Sequence, residues 1–219
     1  MAAQNNYITL GAYRHRYLDT GGNSPVILLL HGISASFDFY EPVIPRLASS
    51  FRVLGLDLLG FGHSDKPQHI AYSLQLYAEL IHEFLEKTGA IETETPVYGV
   101  GHSMGGKYLL ATALTYPGTF GKLVLSNTDG FITLPSWARI ISLPGVRHLL
   151  KPLATRETTA CKLFDAALHN RTAIDESLYR KLLTIARDPE VFDTTIQFNR
   201  NRARLDMTRT GLRSRLLPR

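Results

Sequence analysis

Residues 96–106 have the sequence Pro-Val-Tyr-Gly-Val-Gly-His-Ser-Met-Gly-Gly, and this stretch decides the fold. It starts with the pattern of a buried β-strand, passes through a Gly-x-Ser-x-Gly motif centred on Ser103, and continues into a helical pattern at residues 105–116. A sharp turn between strand and helix holds the central serine in strained backbone geometry, and Gly101 and Gly105 leave room for that turn. The motif predicts Ser103 as a nucleophile, with an ordinary tight turn as the alternative.

A second loop supports the same prediction. It has the sequence His31-Gly32-Ile33-Ser34 and follows the apolar stretch Val26–Leu30, where a partner N–H group of an oxyanion hole is expected. The helix beginning beside Ser103 adds free backbone N–H groups and the positive end of its dipole. We therefore predict the N–H groups of Ile33 and Met104 as the two oxyanion donors. We expect His31 to brace the loop through hydrogen bonds and not to take part in catalysis.

The first 130 residues alternate between strand and helix patterns. Alternating side chains on either side of Gly11-Ala12 predict two short strands within residues 7–19. Further strands are predicted in the apolar segments 26–30, 51–56, 96–100 and 123–125. Helical patterns occupy residues 40–48, 74–88 and 105–116. This alternation predicts an α/β fold with a mostly parallel sheet flanked by helices.

After Gly130 the pattern changes, because residues 131–205 contain no convincing strand signal. Helix signals occur at residues 158–169 and 175–186, and Asp188-Pro189 is typical of an N-cap followed by the first helical residue. We therefore divide the chain into a core at residues 1–130, a helical insertion at residues 131–205 and a basic tail at residues 206–219.

Composition and charge exclude several classes of protein. With 219 residues, 44% hydrophobic and 20% charged, the chain has the composition of a globular domain with one core. Cys161 is the only cysteine, which excludes an internal disulfide, and no Cys/His spacing is typical of zinc. The longest apolar run, Val26–Leu30, is too short to cross a bilayer. We expect a cytoplasmic protein with no membrane span, metal or cofactor, and with Cys161 as a small buried apolar residue.

The net charge of +5 comes from one end of the chain. Residues 200–219 contain seven arginines and one acid, Asp206, which gives +6, so residues 1–199 carry −1. No aromatic residues alternate with these arginines as they do in nucleic-acid motifs. We therefore expect a solvated helix face and no nucleic-acid partner.

Three motifs together resemble the α/β-hydrolase superfamily, in the branch with a helical cap inserted after the sixth strand. They are His31-Gly32, the segment Asp-Leu-Leu-Gly-Phe-Gly-His-Ser-Asp at residues 57–65, and the segment Gly101–Gly106. The resemblance implies hydrolysis of an ester or a related acyl or C–C bond in a small-molecule acyl substrate, without a cofactor. Because position 103 is Ser, the chain is similar to esterases, lipases, C–C hydrolases and peracid-forming relatives. Dehalogenases and epoxide hydrolases, which attack with a carboxylate, fit less well. The resemblance also implies a structural role for Ser64.

The resemblance further implies a catalytic acid and histidine that the sequence does not supply in the usual places. In this superfamily they follow strands seven and eight, and we expect both strands to be absent. After Ser103 the only histidines are His148 and His169, both in the helical insertion. Asp129 follows the sixth strand, where some relatives carry their acid, and a turn-forming Asp-Gly is the other interpretation.

Two functions from different classes therefore stay open. The first is a serine hydrolase acting through an acyl-enzyme on Ser103, of which this chain is an N-terminal portion. The second is a catalytically incomplete, ligand-binding member, and a histidine supplied by the insertion is a third possibility. In each case residues 123–126 are expected to form an exposed apolar sheet edge that favours self-association.

The substrate also stays open. Apolar residues of the insertion either line an acyl pocket or attach the cap to the sheet. These residues are Phe131, Ile132, Leu134, Trp137, Ile140, Ile141 and Leu143. The aromatic residues Phe37, Phe39 and Tyr40 near the His31 loop allow the same two interpretations.

Overall fold

A six-stranded sheet forms the centre of the computed structural model, which describes residues 6–92, 95–129, 140, 142–167, 171 and 174–216. The strands are β1 (Asn6–Leu10), β2 (Tyr13–Asp19), β3 (Val26–Leu30), β4 (Arg52–Leu56), β5 (Val97–His102) and β6 (Phe120–Ser126). They lie in the order β1-β2-β4-β3-β5-β6. β2 pairs antiparallel with β1 and β4, whereas β4, β3, β5 and β6 pair in parallel. The predicted α/β class is confirmed.

Eight α-helices are described. They are α1 (Ile44–Leu47), α2 (Leu74–Lys87), α3 (Met104–Thr115), α4 (Pro144–Ala154), α5 (Glu157–Ala167), α6 (Glu176–Ala186), α7 (Pro189–Arg200) and α8 (Arg202–Leu205). Short 3₁₀ helices occupy Phe37–Tyr40 and Arg213–Leu216. The described residues after Ser126 contain helices and irregular chain but no strand. None of the described helices is long and apolar enough to cross a membrane.

The sheet is covered on both faces, and β3 is buried along its whole length. Leu28 and Leu30 belong to the main core, which includes buried residues of α2 and α3. Ile27 and Leu29 pack on the other face, in a smaller cluster that includes Phe37. Because β3 and β5 are parallel neighbours, the loops that follow them emerge side by side at one edge of the sheet. Ligands of α/β sheets bind at this edge.

Two helical regions differ from the prediction. The predicted helix at residues 40–48 is a 3₁₀ helix followed by the four-residue α1, because Pro42 and Pro45 remove backbone donors from the ladder. Helix α4 has no counterpart among the predicted helices, and it contains Pro144 at its start and Pro152 inside it. The predicted cap of α7 is present, since the Asp188 side chain accepts a hydrogen bond from the N–H of Glu190 at 2.8 Å.

The described residues from 142 to 205 form what we call the helical segment, and its helices α6, α7 and α8 contact the core. Phe198 of α7 packs edge-on against Phe61, with ring centroids 5.2 Å apart. α6 lies against the 3₁₀ helix at residues 37–40, and Lys181 Nζ forms an ion pair with Glu41 at 2.9 Å. The domain boundaries at residues 130 and 205 stay predictions.

β6 lies at the edge of the described sheet and carries exposed apolar side chains. Val124 is 60% exposed and Leu125 is 40% exposed. The basic tail beyond them is partly attached to the core, because Arg215 Nη2 donates to the backbone oxygen of Leu114 at 2.5 Å. Cys161 is half-buried on α5, against the small cluster that contains Tyr179.

Candidate active site

Ser103 occupies the turn between β5 and α3, which we call the elbow (residues 101–106). Its backbone angles are φ 50° and ψ −117°, a conformation that costs a non-glycine residue free energy. A Cβ on Gly101 would lie 2.5 Å from Gly106 Cα, and a Cβ on Gly105 would lie 2.2 Å from the backbone oxygen of Leu30. The strained strand-turn-helix geometry predicted from the motif is therefore present.

Hydrogen bonds fix the backbone of Ser103 on both sides. Its N–H donates to the oxygen of Ser126 at 2.8 Å, and its own oxygen accepts the N–H groups of Gly106 at 3.1 Å and Asp129 at 3.2 Å. The elbow is thus attached to the first turn of α3 and to the chain just after β6. Its position depends on both elements.

The loop after β3 approaches the elbow closely. A Cβ on Gly32 would lie 3.3 Å from Ser103 Cβ and 3.0 Å from His102 Nδ1, so a larger residue would crowd both side chains. Within the described part of the chain, neither the N–H of Ile33 nor that of Met104 donates to a protein acceptor. Both predicted donors are therefore available to a ligand oxygen.

His31 holds this loop from inside the protein. It is fully buried, its Nε2 accepts the N–H of Leu58 at 3.0 Å, and its Nδ1 lies 2.7 Å from the backbone oxygen of Gly32. These two contacts assign the proton to Nδ1. Burial lowers the pKa of His31 to about 4, so the ring is neutral near pH 7. The arrangement matches the bracing role expected for His31.

A buried charge cluster that was not predicted lies beneath the same loop. Arg16 Nη2 contacts Asp38 Oδ1 at 2.5 Å, and Arg16 Nη1 lies 3.7 Å from Asp57 Oδ2. Asp57 Oδ1 also accepts the N–H of Phe37 at 2.8 Å. Burial raises the pKa of Asp57 to about 7, and the Arg16 charge opposes that rise. Ser64 Oγ donates to the backbone oxygen of Asp57 at 2.6 Å, in the structural role expected for it.

An open cleft of about 610 Å³ lies over the elbow. Its described lining is mainly apolar and comes from the two loops and from the helical segment. The lining residues are Gly32, Ile33, Ser34, Ala35, Phe39, His102, Ser103, Ala154, Thr155, Ala160, Leu163, Phe164, Ile174, Leu182, Ala186, Val191, Phe192 and Thr195. Burial lowers the pKa of His102. None of the described lining residues carries a formal charge near pH 7.

The predicted pocket residues of the insertion are not those found in the described lining. Ile140 and Leu143 are exposed to solvent and do not line the cleft, which α5, α6 and α7 cover instead. Phe131, Ile132, Leu134, Trp137 and Ile141 lie outside the described residues. Of the aromatic residues near the His31 loop, Phe39 lines the cleft, whereas Phe37 and Tyr40 are buried in the smaller core cluster.

No described side chain accepts a hydrogen bond from Ser103 Oγ, and this includes the neighbouring His102 of the same cleft. His148 is exposed on α4, and His169 lies outside the described residues. Among described groups, none is hydrogen-bonded to Ser103 Oγ. Asp129 Oδ2 instead contacts Lys107 Nζ at 2.6 Å. The described residues also contain no cluster of His, Cys, Asp or Glu that could hold a metal ion.

Comparison with known proteins agrees with this geometry. The sequence profile of the α/β hydrolase fold matches residues 25–203, and the chain belongs to that family.

Two curated relatives and one solved structure illustrate the likeness. The uncharacterized hydrolase YugF of Bacillus subtilis (strain 168) is 28% identical over 195 residues, which are 88% of this chain and 69% of that protein. The 2-hydroxy-6-oxo-6-(2'-aminophenyl)hexa-2,4-dienoic acid hydrolase of Metapseudomonas resinovorans is 30% identical over 174 residues, 75% of this chain and 57% of that protein. Cfl2 from Burkholderia cenocepacia superposes with a TM-score of 0.80 at 19% identity, over 96% of this chain and 74% of Cfl2. The chain thus spans 57–69% of the length of these two curated relatives.

Proposed function

We propose that this chain carries the nucleophile of a serine hydrolase, which forms an acyl-enzyme on Ser103. One observation carries the proposal: Ser103 lies on a strained elbow that lines the cleft, beside two backbone N–H groups that have no acceptor among the described residues. In the proposed reaction Ser103 Oγ attacks the acyl carbon while the N–H groups of Ile33 and Met104 bind the oxyanion. Loss of one such donor typically costs roughly 2.7–4 kcal/mol of transition-state stabilisation.

A serine hydroxyl needs a general base, and that base needs an orienting acid. Since no described histidine is hydrogen-bonded to Ser103 Oγ, we place the base outside the described residues. In α/β hydrolases the acid and the histidine follow the serine along the chain.

The cleft favours an uncharged, apolar acyl group. Leu163 and Phe164 of α5 and Val191 and Phe192 of α7 contribute apolar lining, and burial of such surface gains about 25 cal/mol per Å². We propose that the helical segment acts as the cap of this site and that the substrate is a small ester or a related acyl or C–C compound. The curated relative from Metapseudomonas resinovorans is named a hydrolase, which agrees with this reaction class.

Active-site labelling tests the proposal. A fluorophosphonate probe should label the wild type at Ser103, and Ser103→Ala should abolish both labelling and hydrolysis of a p-nitrophenyl ester. Ser34→Ala is the matched control, since Ser34 is a serine that lines the same cleft, and it should keep its labelling. Wild-type protein that is not labelled, or label found on another residue, would sink the proposal.

A second candidate is a ligand-binding member of the family without turnover. It is favoured by the lack of a described hydrogen-bond partner for Ser103 Oγ. This candidate predicts that a fluorescent fatty acyl probe binds equally to wild type and to Ser103→Ala while neither hydrolyses the ester.

A further inference from the structure

An ion pair with one buried and one exposed partner lies directly behind the elbow. Lys107 is in the first turn of α3, and its Nζ contacts Asp129 Oδ2 at 2.6 Å. The Lys107 side chain is 8% exposed, whereas the Asp129 side chain is 45% exposed. A cation near the N-terminus of a helix is unfavourable, and a buried ammonium needs a partner. The position of Lys107 is therefore costly unless Asp129 compensates for it.

Both residues of this pair are also bonded to Ser103 through their backbones. The backbone oxygen of Ser103 accepts the N–H of Asp129 at 3.2 Å and is approached by the N–H of Lys107 at 3.4 Å. Together with the side-chain contact, these bonds close a ring that runs from Ser103 through Asp129 and Lys107 back to Ser103. Moving either residue moves the serine.

The surrounding packing gives this ring little freedom. A Cβ on Gly106 would lie 2.3 Å from Thr128 Oγ1, so α3 and the chain after β6 are already in close contact. Thr128 Oγ1 is buried without a partner, so within the described contacts it does not tie these two elements together. The ion pair is then the side-chain link between the first turn of α3 and the end of β6.

We propose that Lys107 and Asp129 are positioning residues, which fix the Ser103 hydroxyl relative to the N–H of Met104. This inference rests on the proposed serine chemistry and extends it. It also gives Asp129 a role different from that of a catalytic acid, because its carboxylate holds Lys107. Neither residue lines the described cleft, so the pair acts on substrate only through the elbow.

The experiment uses the unequal burial of the two side chains. Lys107→Met leaves a carboxylate that solvent can reach, whereas Asp129→Asn leaves a buried ammonium, so the lysine variant disturbs folding less. We expect Lys107→Met to lower the rate of fluorophosphonate labelling and the kcat for a p-nitrophenyl ester by up to about 100-fold, the effect of misplacing a catalytic group by about 1 Å. KM should change little. Lys107→Arg, which keeps the ion pair, should recover most of the rate.

Two further variants complete the test. Lys87→Met removes an ion pair with Glu83 on α2 and should label at the wild-type rate. In the double variant Lys107→Met/Asp129→Asn, labelling should be no slower than in Lys107→Met alone. Equal labelling of Lys107→Met and wild type overturns the inference, as does a further large loss in the double variant, which would make Asp129 a catalytic acid. A lack of labelling in the wild type would refute the proposed serine chemistry and this inference with it. That result is obtained before any variant is compared, so it can be told apart from failure of the inference alone.

Discussion

Replacing Gly105 with Ala is the sharpest perturbation of the elbow. The added Cβ would lie 2.2 Å from the oxygen of Leu30 and 2.6 Å from the oxygen of His31, and both are backbone atoms that no rotamer change can move. Real Cβ atoms stay at least 3.0 Å from such neighbours, so the first turn of α3 must retreat by about 0.8 Å (3.0 minus 2.2 Å). Overpacking of this kind costs roughly 1–3 kcal/mol of the free energy of unfolding. The retreat also separates the N–H of Met104 from the His31 loop, which should slow labelling of Ser103 by up to about 100-fold.

The assay combines urea unfolding with fluorophosphonate labelling. Gly145→Ala is the matched control because Gly145 lies in α4 with nothing within 4 Å of its added Cβ. In a helix this change should raise the free energy of unfolding by about 0.5–1 kcal/mol and leave labelling unchanged. If Gly105→Ala unfolded and reacted like wild type, the close approach of α3 to β3 would be wrong.

Three further predictions concern strain, pH and the sheet edge. Ser103→Gly should raise the free energy of unfolding in urea by roughly 1–3 kcal/mol while removing the nucleophile, since glycine tolerates φ 50°; no change in stability would contradict the strain. The pKa of His31 is about 4 in the folded protein and 6.5 in the unfolded chain, so the free energy of unfolding falls as the pH drops from 6.5 to about 4. The pKa of Asp57 is about 7 in the folded protein and 3.8 in the unfolded chain, so this residue makes the free energy of unfolding fall as the pH rises from 3.8 to about 7. Asp57→Asn should therefore give a free energy of unfolding that increases more steeply than in wild type from about pH 4 to 6.5, and equal slopes would argue against a buried protonated Asp57. Val124→Lys should reduce self-association in size-exclusion chromatography relative to wild type, and a wild type that elutes as a monomer would contradict self-association through this edge.

The sequence predicts best those elements whose signals are local. The apolar run Val26–Leu30 coincides with β3 because a strand covered on both faces needs five apolar residues in a row. The start of α7 is likewise predictable from Asp188-Pro189, because a cap lies next to its helix in the sequence. Helix α4 is missed because Pro152 lies inside it, and packing between helices outweighs that proline.

The site divides in the same way. The elbow and the His31 loop are predictable because each is a short motif. The cluster of Arg16, Asp38 and Asp57 cannot be predicted in this way, because its three residues lie on separate segments of the chain. The alternation along β2 places His15 and Arg16 on opposite faces of the sheet, which predicts that one of them is exposed. In the structure both side chains are buried. Arg16 is buried because the segment that carries Asp38 covers its face of the sheet, and that covering cannot be inferred from period two.

The 3₁₀ helix at residues 37–40 is held to the core more strongly than it is held to α6. On the core side, the 3₁₀ helix at residues 37–40 carries Phe39 into the cleft and is attached underneath by the buried Arg16 and Asp57 contacts. On the other side, α6 is joined to that helix by the exposed pair of Lys181 and Glu41, and exposed pairs contribute about 0.2–1 kcal/mol. Breaking one carboxylate contact of a buried cation costs several times more. We therefore expect α6, and not the elbow or the His31 loop, to shift when ligands of different size enter the cleft.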